Sequence, residues 1–591
     1  MRRVTVSSAP SIDRSSTRAR LAWLTPTRAL GIILAVGVVV FSPAIRSPLF
    51  LDDFLHDAMV RGQFPVPRAA WNLYDFIGDD NRQLLTDRGL LPWWTHPELK
   101  IRFFRPLASV LLWRDHRLFG QAPLPPHLHS LAWWAAATAA AFALFRRVLP
   151  KPETAILATA IYALAPCHFL AIAWSANREA LIAITIGTLG LLSHLSFRER
   201  GHALGALLTT LLFSLALLGG GEYALGFGGY LLLSEVLRPG ERKPLALRLA
   251  WLLPFALPAA IYLPVRASLG YGAAGSGFYA DPFHDPGSFV SVAPYHFVAQ
   301  LADAWLSFGS HQWQPTWERG IVVGAVALAT LAMVRPIRAA LREAEERDRY
   351  AASWLLGGSI LALVPTLAVV PAFRLLGIAM LGVAATSARV IERLLRAPER
   401  ATRAGEVGAV LLAFTQLVHG PVMTFLESSE HRRLAKNFVE RADWLRAKVG
   451  DPGAARVAAI RGGPTIFFTP FAMVDRTPPP HTWLVLAETS HVLALRTGER
   501  TIELVAQRDR ALSPIGELNL YRDPRRPLRP GDELRVPGLR ATVLDITERG
   551  PRRVRIDLDE PIDAYTWVDD GLERMTEITL PPVGNGWPFS G

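Results

Sequence analysis

The segment Ala203–Leu218, ALGALLTTLLFSLALL, carries no charged side chain and decides the class of fold. Crossing a bilayer takes about 20 predominantly apolar residues, and this run approaches that length together with the glycines that follow it. The rest of the 591-residue chain is similar, because 50% of its residues are hydrophobic and only 19% are charged. Soluble domains usually carry about 25% charged residues. The composition therefore predicts a polytopic α-helical membrane protein and excludes an ordinary soluble enzyme.

Apolar runs along the chain predict about 11 transmembrane helices. They lie at Ala29–Ala44, His127–Val148, Thr154–Trp174, Ala180–Leu195, Ala203–Leu218, Tyr223–Leu237, Leu247–Val265, Ile321–Val334, Ala351–Val370, Phe373–Arg389 and Val407–Phe425.

The distribution of arginine and lysine predicts how these helices are oriented. Basic residues concentrate in the N-terminal tail and in alternate loops, and such segments normally lie in the cytoplasm. We therefore expect a cytoplasmic tail at residues 1–28 and a membrane domain at 29–427 with its first outer loop at 46–105. Residues 428–591 are expected outside the cytoplasm, on the periplasmic face of a bacterial inner membrane.

The net charge of +12 does not indicate nucleic-acid binding. Basic and acidic residues are nearly balanced in 428–591, so the excess belongs to the membrane domain, where it sets orientation. Cys167 is the single cysteine, which excludes an intramolecular disulfide and a cysteine-rich metal cluster.

Residues 428–591 change in character and predict an α+β or β-rich domain. His431–Val449 has the spacing of an amphipathic helix. Beyond it, short apolar runs alternate with turn signals such as Pro530–Gly531–Asp532. Strands are expected at 454–460, 483–487, 491–495, 501–506, 533–536, 541–546 and 554–558.

Two adjacent carboxylates, Asp52 and Asp53, follow the first apolar run in the sequence FLDDF, residues 50–54. Charges at a membrane surface are costly unless they are hydrated, paired or metal-bound. One carboxylate could deprotonate an acceptor hydroxyl, or the pair could hold a divalent cation against a diphosphate. The alternative is a solvated pair in an ordinary loop. No other cofactor or metal site is indicated.

Isolated polar side chains near helix ends are expected on the same side of the membrane as this pair. Arginine can bind phosphate through two parallel hydrogen bonds, so arginines and carboxylates converging there would suit a lipid-linked phosphate. Each arginine taken alone could equally be an interfacial anchor. The candidate substrate-binding residues are Arg105, His127, His129, Arg178, Glu222, Arg266 and Arg374.

The order of its motifs resembles that of GT-C superfamily membrane glycosyltransferases, particularly the protein O-mannosyltransferase-like branch and the related tetratricopeptide-bearing transmembrane O-mannosyltransferases. Two positions depart from the family's pattern, because Leu170 stands where many relatives have Glu and Gly221 where they have Lys. No 34-residue helical repeat follows the membrane region. The resemblance covers roughly residues 30–400 and rests on FLDDF at 50–54, FRPL at 104–107, LFG at 118–120, HLH at 127–129, APCH at 165–168, AW at 173–174, RE at 178–179, GE at 221–222, YLPVR at 262–266 and RLL at 374–376.

The resemblance implies an enzyme of the hexosyltransferase class, with a polyprenyl-phosphate-linked sugar as donor. Its acceptor would be a protein or a glycan outside the cytoplasm, and membrane lipid would surround the site. Asp52 would act as general base, and Asp53 would orient it or bind a cation. Attack at the anomeric carbon would displace the lipid phosphate with inversion.

Two other functions fit the same sequence. A non-catalytic membrane scaffold or binding protein for cell-envelope glycans would not need the acidic pair. An O-antigen ligase or polymerase would also use lipid-linked glycans, but it would rely on loop arginines and histidines.

Overall fold

The computed structural model describes residues 25–241, 243–310, 316–396, 402–473, 482–489, 491–508, 510–516, 518–571 and 574–590. Most of the predicted cytoplasmic tail, residues 1–24, lies outside this range. The described chain has a helical part that ends at Val449 and a β-rich part that we call the C-terminal domain, Arg456–Ser590.

The helical part is built from helices of very different lengths. In chain order, the α-helices are α1 (Pro26–Val40), α2 (Ser42–Ile45), α3 (Asp52–Val60), α4 (Arg82–Asp87), α5 (Pro106–Phe119), α6 (Leu124–Val148), α7 (Pro152–Ala163), α8 (Phe169–Ala173), α9 (Arg178–Arg200), α10 (Ala203–Gly220), α11 (Phe227–Val236), α12 (Leu245–Leu249), α13 (Leu253–Ser268), α14 (Pro286–Leu306), α15 (Thr316–Arg342), α16 (Glu346–Leu361), α17 (Ala379–Arg396), α18 (Arg403–Phe414), α19 (Gly420–Val449) and, in the C-terminal domain, α20 (Thr469–Met473).

Six helical stretches in the described residues are long and apolar enough to cross a membrane, or seven if the bent pair α7 and α8 forms one span. They identify an integral membrane protein, but the predicted count of about 11 helices is not confirmed. Some predicted spans are short helices, such as α1 with 15 residues and α16 with 16 residues. The six stretches are Leu124–Val148, Ser175–Arg200, Ala203–Val236, Leu245–Ser268, Arg319–Arg342 and Gly405–Val449.

The stretch Ala203–Val236 turns back on itself at a 3₁₀ turn, Gly221–Gly226. Gly220, before the turn, lies against the beginning of α9. Glu235, after the turn, accepts a hydrogen bond at 2.9 Å from Arg198 near the end of α9. Since the chain meets the two ends of one helix in succession, α10 and α11 run antiparallel. The turn sets Glu222 at the same end of the bundle as the start of α9.

The predicted first outer loop, residues 46–105, is folded. It contains α3, α4 and the short strands β1 (Asp75–Ile77) and β2 (Lys100–Arg102), and β2 also pairs with β3 (Gly272–Ala274). The sequence interpretation did not predict these strands, nor α14 in the following outer segment. Each strand is three residues long, which is too short for a clear alternating pattern.

The predicted C-terminal β-rich domain is confirmed. All seven predicted strand regions are present, as β4 (Arg456–Ala459), β5 (Thr482–Val485), β6 (His491–Arg496), β7 (Thr501–Ala506), β8 (Glu533–Val536), β9 (Leu539–Thr547) and β10 (Gly550–Leu558). Three further strands were not predicted, β11 (Thr566–Asp570), β12 (Met575–Glu577) and β13 (Gly586–Ser590). A six-stranded sheet has the order β13-β6-β7-β10-β9-β8, and a four-stranded sheet has the order β12-β11-β4-β5, in which β4 pairs in parallel with both neighbours.

The C-terminal domain docks directly on the first outer loop. The indole N–H of Trp93 donates to the carbonyl of Leu486 at 3.1 Å, and the guanidinium of Arg522 donates to the carbonyl of Trp94 at 2.6 Å. Both tryptophans are buried. The domain therefore lies on the same side of the helices as this loop. Helix α19 crosses the expected boundary at 427/428 without a break.

Candidate active site around the acidic pair

The acidic pair lies at the start of α3, directly after an unusual backbone conformation. Leu51 has φ +40° and ψ −102°, which is disfavoured for a residue with a Cβ. Such conformations are concentrated at functional sites. Asp52 and Asp53 occupy the first turn of α3, where the unpaired N–H groups of a helix favour negative charge.

Asp53 holds two chain segments together. Its carboxylate accepts hydrogen bonds from the backbone N–H of Phe50 at 3.2 Å and from that of Ala176 at 3.1 Å. The side chain is fully buried, and burial raises its pKa to about 7, although the backbone donors oppose that rise. Asp53 therefore fixes the start of α3 against the segment that precedes α9.

Asp52 differs from its neighbour because it is partly exposed and has no hydrogen-bonding partner among the described residues. The pKa of Asp52 is raised to about 7, mainly by burial and next by the charge of Asp53; Arg374 opposes the rise, and Glu179 adds a smaller contribution to it. A carboxylate with a pKa near neutrality is suited to accept a proton at physiological pH. Nothing in the described chain occupies its oxygens.

Arg374 is the cation that acts on Asp52. It lies in the 3₁₀ turn Phe373–Leu375 and forms no hydrogen bond or ion pair with a described residue. Its charge also acts on Glu179, at the start of α9. The structure thus brings Arg374 and Asp52 together although more than 300 residues separate them in the sequence.

Arg105 and Glu179 form a second charged pair next to Asp52. The guanidinium of Arg105 contacts a carboxylate oxygen of Glu179 at 3.2 Å, and it lies over the rings of Tyr74 and Phe103 with centroid distances of 5.1 and 4.7 Å. The second carboxylate oxygen of Glu179 is buried without a partner. Sequence reasoning used Glu179 only as part of a motif and did not assign it to the site.

Glu222 and Arg266 are paired with each other. The Nε of Arg266 contacts Glu222, and its Nη2 donates to Asp281 at 2.9 Å. The glycine before Glu222 faces the site, because a Cβ on Gly221 would lie 3.5 Å from the Nε of Arg105. The Glu222–Arg266 pair therefore lies directly behind Arg105, and both of its charges are compensated.

Three of the predicted substrate-binding residues are held by internal hydrogen bonds. Arg178 is buried and donates to Ser130 at 2.8 Å and to the carbonyl of Pro126 at 2.7 Å, and it also contacts Asp115. His129 contacts the same Asp115 carboxylate at 2.9 Å. This network joins α5, α6 and α9 behind the acidic pair. Asp115 was not singled out in the sequence, because it lies in a helix with mixed character.

His127 is similarly engaged. One ring nitrogen lies 2.9 Å from the carbonyl oxygen of Ile172 and the other lies 3.0 Å from that of Ser47. The ring is fully buried. In the structure the ring links the segment that follows α2 to α8, and neither ring nitrogen is open to a substrate.

Among the residues that the structure describes, no group of three or more His, Cys, Asp or Glu side chains is arranged to hold a metal ion. A divalent cation at Asp52 would therefore need most of its ligands from the substrate and water, as Mg²⁺ often does.

No protein-family model matches the chain, and no curated protein matches it. Among solved structures, ArnT from Cupriavidus metallidurans bound to undecaprenyl phosphate is similar with 14% sequence identity and a TM-score of 0.40, over 76% of this chain and 84% of ArnT. ArnT in the apo state is similar with 14% identity and a TM-score of 0.38, over 78% and 86% of the two chains. At this level neither match assigns the chain to a family, and the O-mannosyltransferase branch gains no support.

Proposed function

We propose that the chain is a membrane glycosyltransferase of the GT-C type, which moves a sugar from a polyprenyl-phosphate-linked donor to an acceptor on the side of the C-terminal domain. The observation that supports this most strongly is the juxtaposition of Asp52, a partly exposed carboxylate without a hydrogen-bonding partner, and Arg374, a cation without a protein partner in the described chain. A base and a phosphate-binding cation are the two groups that such a reaction needs.

In this mechanism Asp52 removes the proton from an acceptor hydroxyl as the oxygen attacks the anomeric carbon. The new bond joins the acceptor oxygen to that carbon, and the bond from the same carbon to the phosphate oxygen breaks with its electron pair. Inversion results, and the products are the glycosylated acceptor and polyprenyl phosphate. Arg374 stabilises the negative charge that develops on the leaving phosphate. Arg105 holds Glu179 in place through their ion pair.

The remaining predicted residues have supporting roles in this proposal. Asp53 positions Asp52 through its two backbone hydrogen bonds. Arg178 and His127 hold the helices behind the pair, because the guanidinium of Arg178 donates internal hydrogen bonds and both ring nitrogens of His127 face backbone carbonyl oxygens. An O-antigen ligase mechanism, which would rely on such arginines and histidines, is less favoured for that reason.

In the proposed orientation, the protein lies in a bacterial inner membrane and its active site faces the periplasm. The docking of the C-terminal domain on the first outer loop supports a shared compartment for the two, and the arginine-rich alternate loops support its assignment to the periplasm.

Binding of undecaprenyl phosphate to the purified protein in nanodiscs tests the donor side of the proposal. Arg374→Ala should weaken binding by about 10-fold or more, and Arg374→Lys should weaken it less, since Lys keeps the charge but loses the planar fork. Arg433→Ala is the matched control, because Arg433 is exposed on α19 and, among the residues that the structure describes, pairs only with Glu430. Equal affinities for all four proteins would refute the role of Arg374.

A further inference from the structure

An open cavity of about 420 Å³ lies between α15 and α16. The described residues that line it are Arg338, Leu341 and Arg342 of α15 and Arg349 and Ser353 of α16. Three of these five side chains are arginines, and none is acidic. The cavity therefore concentrates positive charge between two helices of the membrane domain.

The cavity lies at the end of the bundle that is away from the acidic pair. The hydroxyl of Tyr350, near the start of α16, donates to the carbonyl of Ser234 near the end of α11 at 2.5 Å. At the other end of α16, the carbonyl oxygen of Ala362 would lie 3.1 Å from a Cβ on Gly226, in the turn that carries Glu222. Helix α16 therefore runs from the cavity toward the end of the bundle that holds the site. In the expected orientation the cavity faces the cytoplasmic leaflet.

Two of the cavity's arginines have no partner among the described residues. Arg338 and Arg342 are exposed, and neither guanidinium forms a hydrogen bond or an ion pair with the described chain. The nearest acidic residue in the sequence, Glu343, is engaged elsewhere, because its two oxygens accept from Arg393 at 2.6 and 2.8 Å. The hydroxyl of Ser353 also has no hydrogen-bonding partner in the described chain. The cavity thus offers several free donors to an anion.

The third arginine is fixed by the backbone of α15. The Nε of Arg349 donates to the carbonyl of Leu341 at 3.1 Å, and its Nη2 donates to those of Arg342 and Ala344 at 3.3 and 3.0 Å. These are carbonyls that the end of a helix leaves open. The Nη1 of Arg349 makes no hydrogen bond to a described residue. Arg349 therefore forms a fixed wall of the cavity that still has a free donor.

The face of α15 that carries these arginines begins as an apolar surface. Leu328 and Leu331 are 70% and 71% exposed, and Arg335, Arg338 and Arg342 follow at spacings of three and four residues, which place all five on one face of the helix. Only 17% of the apolar stretch of this helix is buried. Acyl chains can therefore contact the leucines while a headgroup lies over the arginines.

We propose that this cavity binds the headgroup phosphate of an anionic phospholipid, with its acyl chains along Leu328 and Leu331. The guanidinium groups of Arg338 and Arg342 contact the phosphate, since arginine matches phosphate oxygens with two parallel hydrogen bonds. Basic pockets between membrane helices on the cytoplasmic side suit such headgroups. The cationic group of a zwitterionic lipid would instead meet three arginines. The site is independent of the proposed transfer reaction, because it lies at the other end of the bundle.

The test measures binding of phosphatidylglycerol and of phosphatidylcholine to the purified full-length protein in detergent, by native mass spectrometry. Wild type should prefer phosphatidylglycerol. Arg338→Ala and Arg342→Ala should each weaken its binding by about 5-fold, and the double variant by about 25-fold, the effect expected for one and two arginines near an anionic headgroup. Replacing both with Lys should weaken it less, since the charge remains. Arg200→Ala is the matched control, because Arg200 is exposed at the end of α9 and does not line the cavity.

Four outcomes would overturn the inference. Wild type could bind the two lipids equally, or Arg200→Ala could weaken binding as much as the double alanine variant, which would indicate a general surface attraction. Inorganic phosphate could displace phosphatidylglycerol at equal concentration, which would indicate a soluble ligand. Arg374→Ala could abolish the binding, which would place the lipid at the proposed donor site instead. Unchanged Tm values for the alanine and lysine double variants would show that a loss of binding does not come from unfolding.

Discussion

Replacing Asp52 with asparagine should make the folded protein more stable at alkaline pH, while it removes the proposed base. The side chain has no hydrogen bond to lose among the described residues, and its ionised form is disfavoured by burial and by the charge of Asp53. Asparagine has the same shape and carries no charge. The substitution therefore relieves an electrostatic cost without opening a cavity.

The size and sign of this effect follow from the pKa. A rise from 3.8 to about 7 means that the folded state binds the proton more tightly than the unfolded state. Wild type therefore loses stability as pH rises from about 4 to about 7, and the loss is complete above that range. The rise corresponds to about 4 kcal/mol at 1.36 kcal/mol per pH unit. Because Asp52 is partly exposed, solvent should reduce this to about 1–2 kcal/mol.

Thermal unfolding of the purified protein at pH 8 and at pH 4.5 measures the effect. Asp52→Asn should raise Tm by about 1–3 °C relative to wild type at pH 8, and the difference should shrink at pH 4.5. Asp79→Asn is the control, since the side chain of Asp79 is 79% exposed in the same loop. A lower Tm for Asp52→Asn at pH 8, or a difference that does not depend on pH, would refute the reasoning.

Three further predictions concern the framework of the site. Arg178→Ala should lower the free energy of unfolding by about 3–5 kcal/mol, because it leaves the buried carboxylate of Asp115 without its partner. In thermal unfolding, the double variant with Asp115→Asn should lose less stability than the sum of the two single variants; additive losses would contradict the pairing. A reporter fused after Leu426 should be active outside the cytoplasm and one after Glu199 should report the cytoplasm; the reverse pattern would contradict the orientation. Gly221→Ala should lower Tm, because φ is +64° at this position and a Cβ there is strained; an unchanged Tm would show that the turn tolerates a side chain.

Local patterns predicted much of the fold. The uncharged run Ala203–Leu218 corresponds to α10, and the glycines after it correspond to the reversal before α11. The alternation in 553–558 correctly predicted a strand of the C-terminal domain. The predicted span count is not confirmed, because composition alone cannot decide cases such as Thr154–Trp174, where Pro166 lies at a 48° bend between α7 and α8.

The site was harder to predict than the fold. The sequence singled out the acidic pair because two adjacent carboxylates after an apolar run are unusual, and its catalytic role stays a prediction. The sequence could not show which carboxylate of the pair is held by hydrogen bonds and which is not. Asp53 is held partly by the backbone N–H of Ala176, which is distant in the sequence. Arg178 and Arg374 have similar sequence contexts near helix ends. In the structure Arg178 donates several internal hydrogen bonds, whereas Arg374 donates none to a described residue.

The measurement that tests the central claim most directly is sugar transfer by Asp52→Asn. Wild type and the variant are reconstituted in proteoliposomes. Each is supplied with radiolabelled undecaprenyl-phosphate sugars and with envelope glycan from a strain in which the gene for this protein has been deleted. We predict that the variant loses transfer by about 10²–10⁴-fold, the usual contribution of a general base, while its binding of undecaprenyl phosphate and its Tm do not fall. Near wild-type transfer by Asp52→Asn would contradict the account, because the proposed reaction would then proceed without its base.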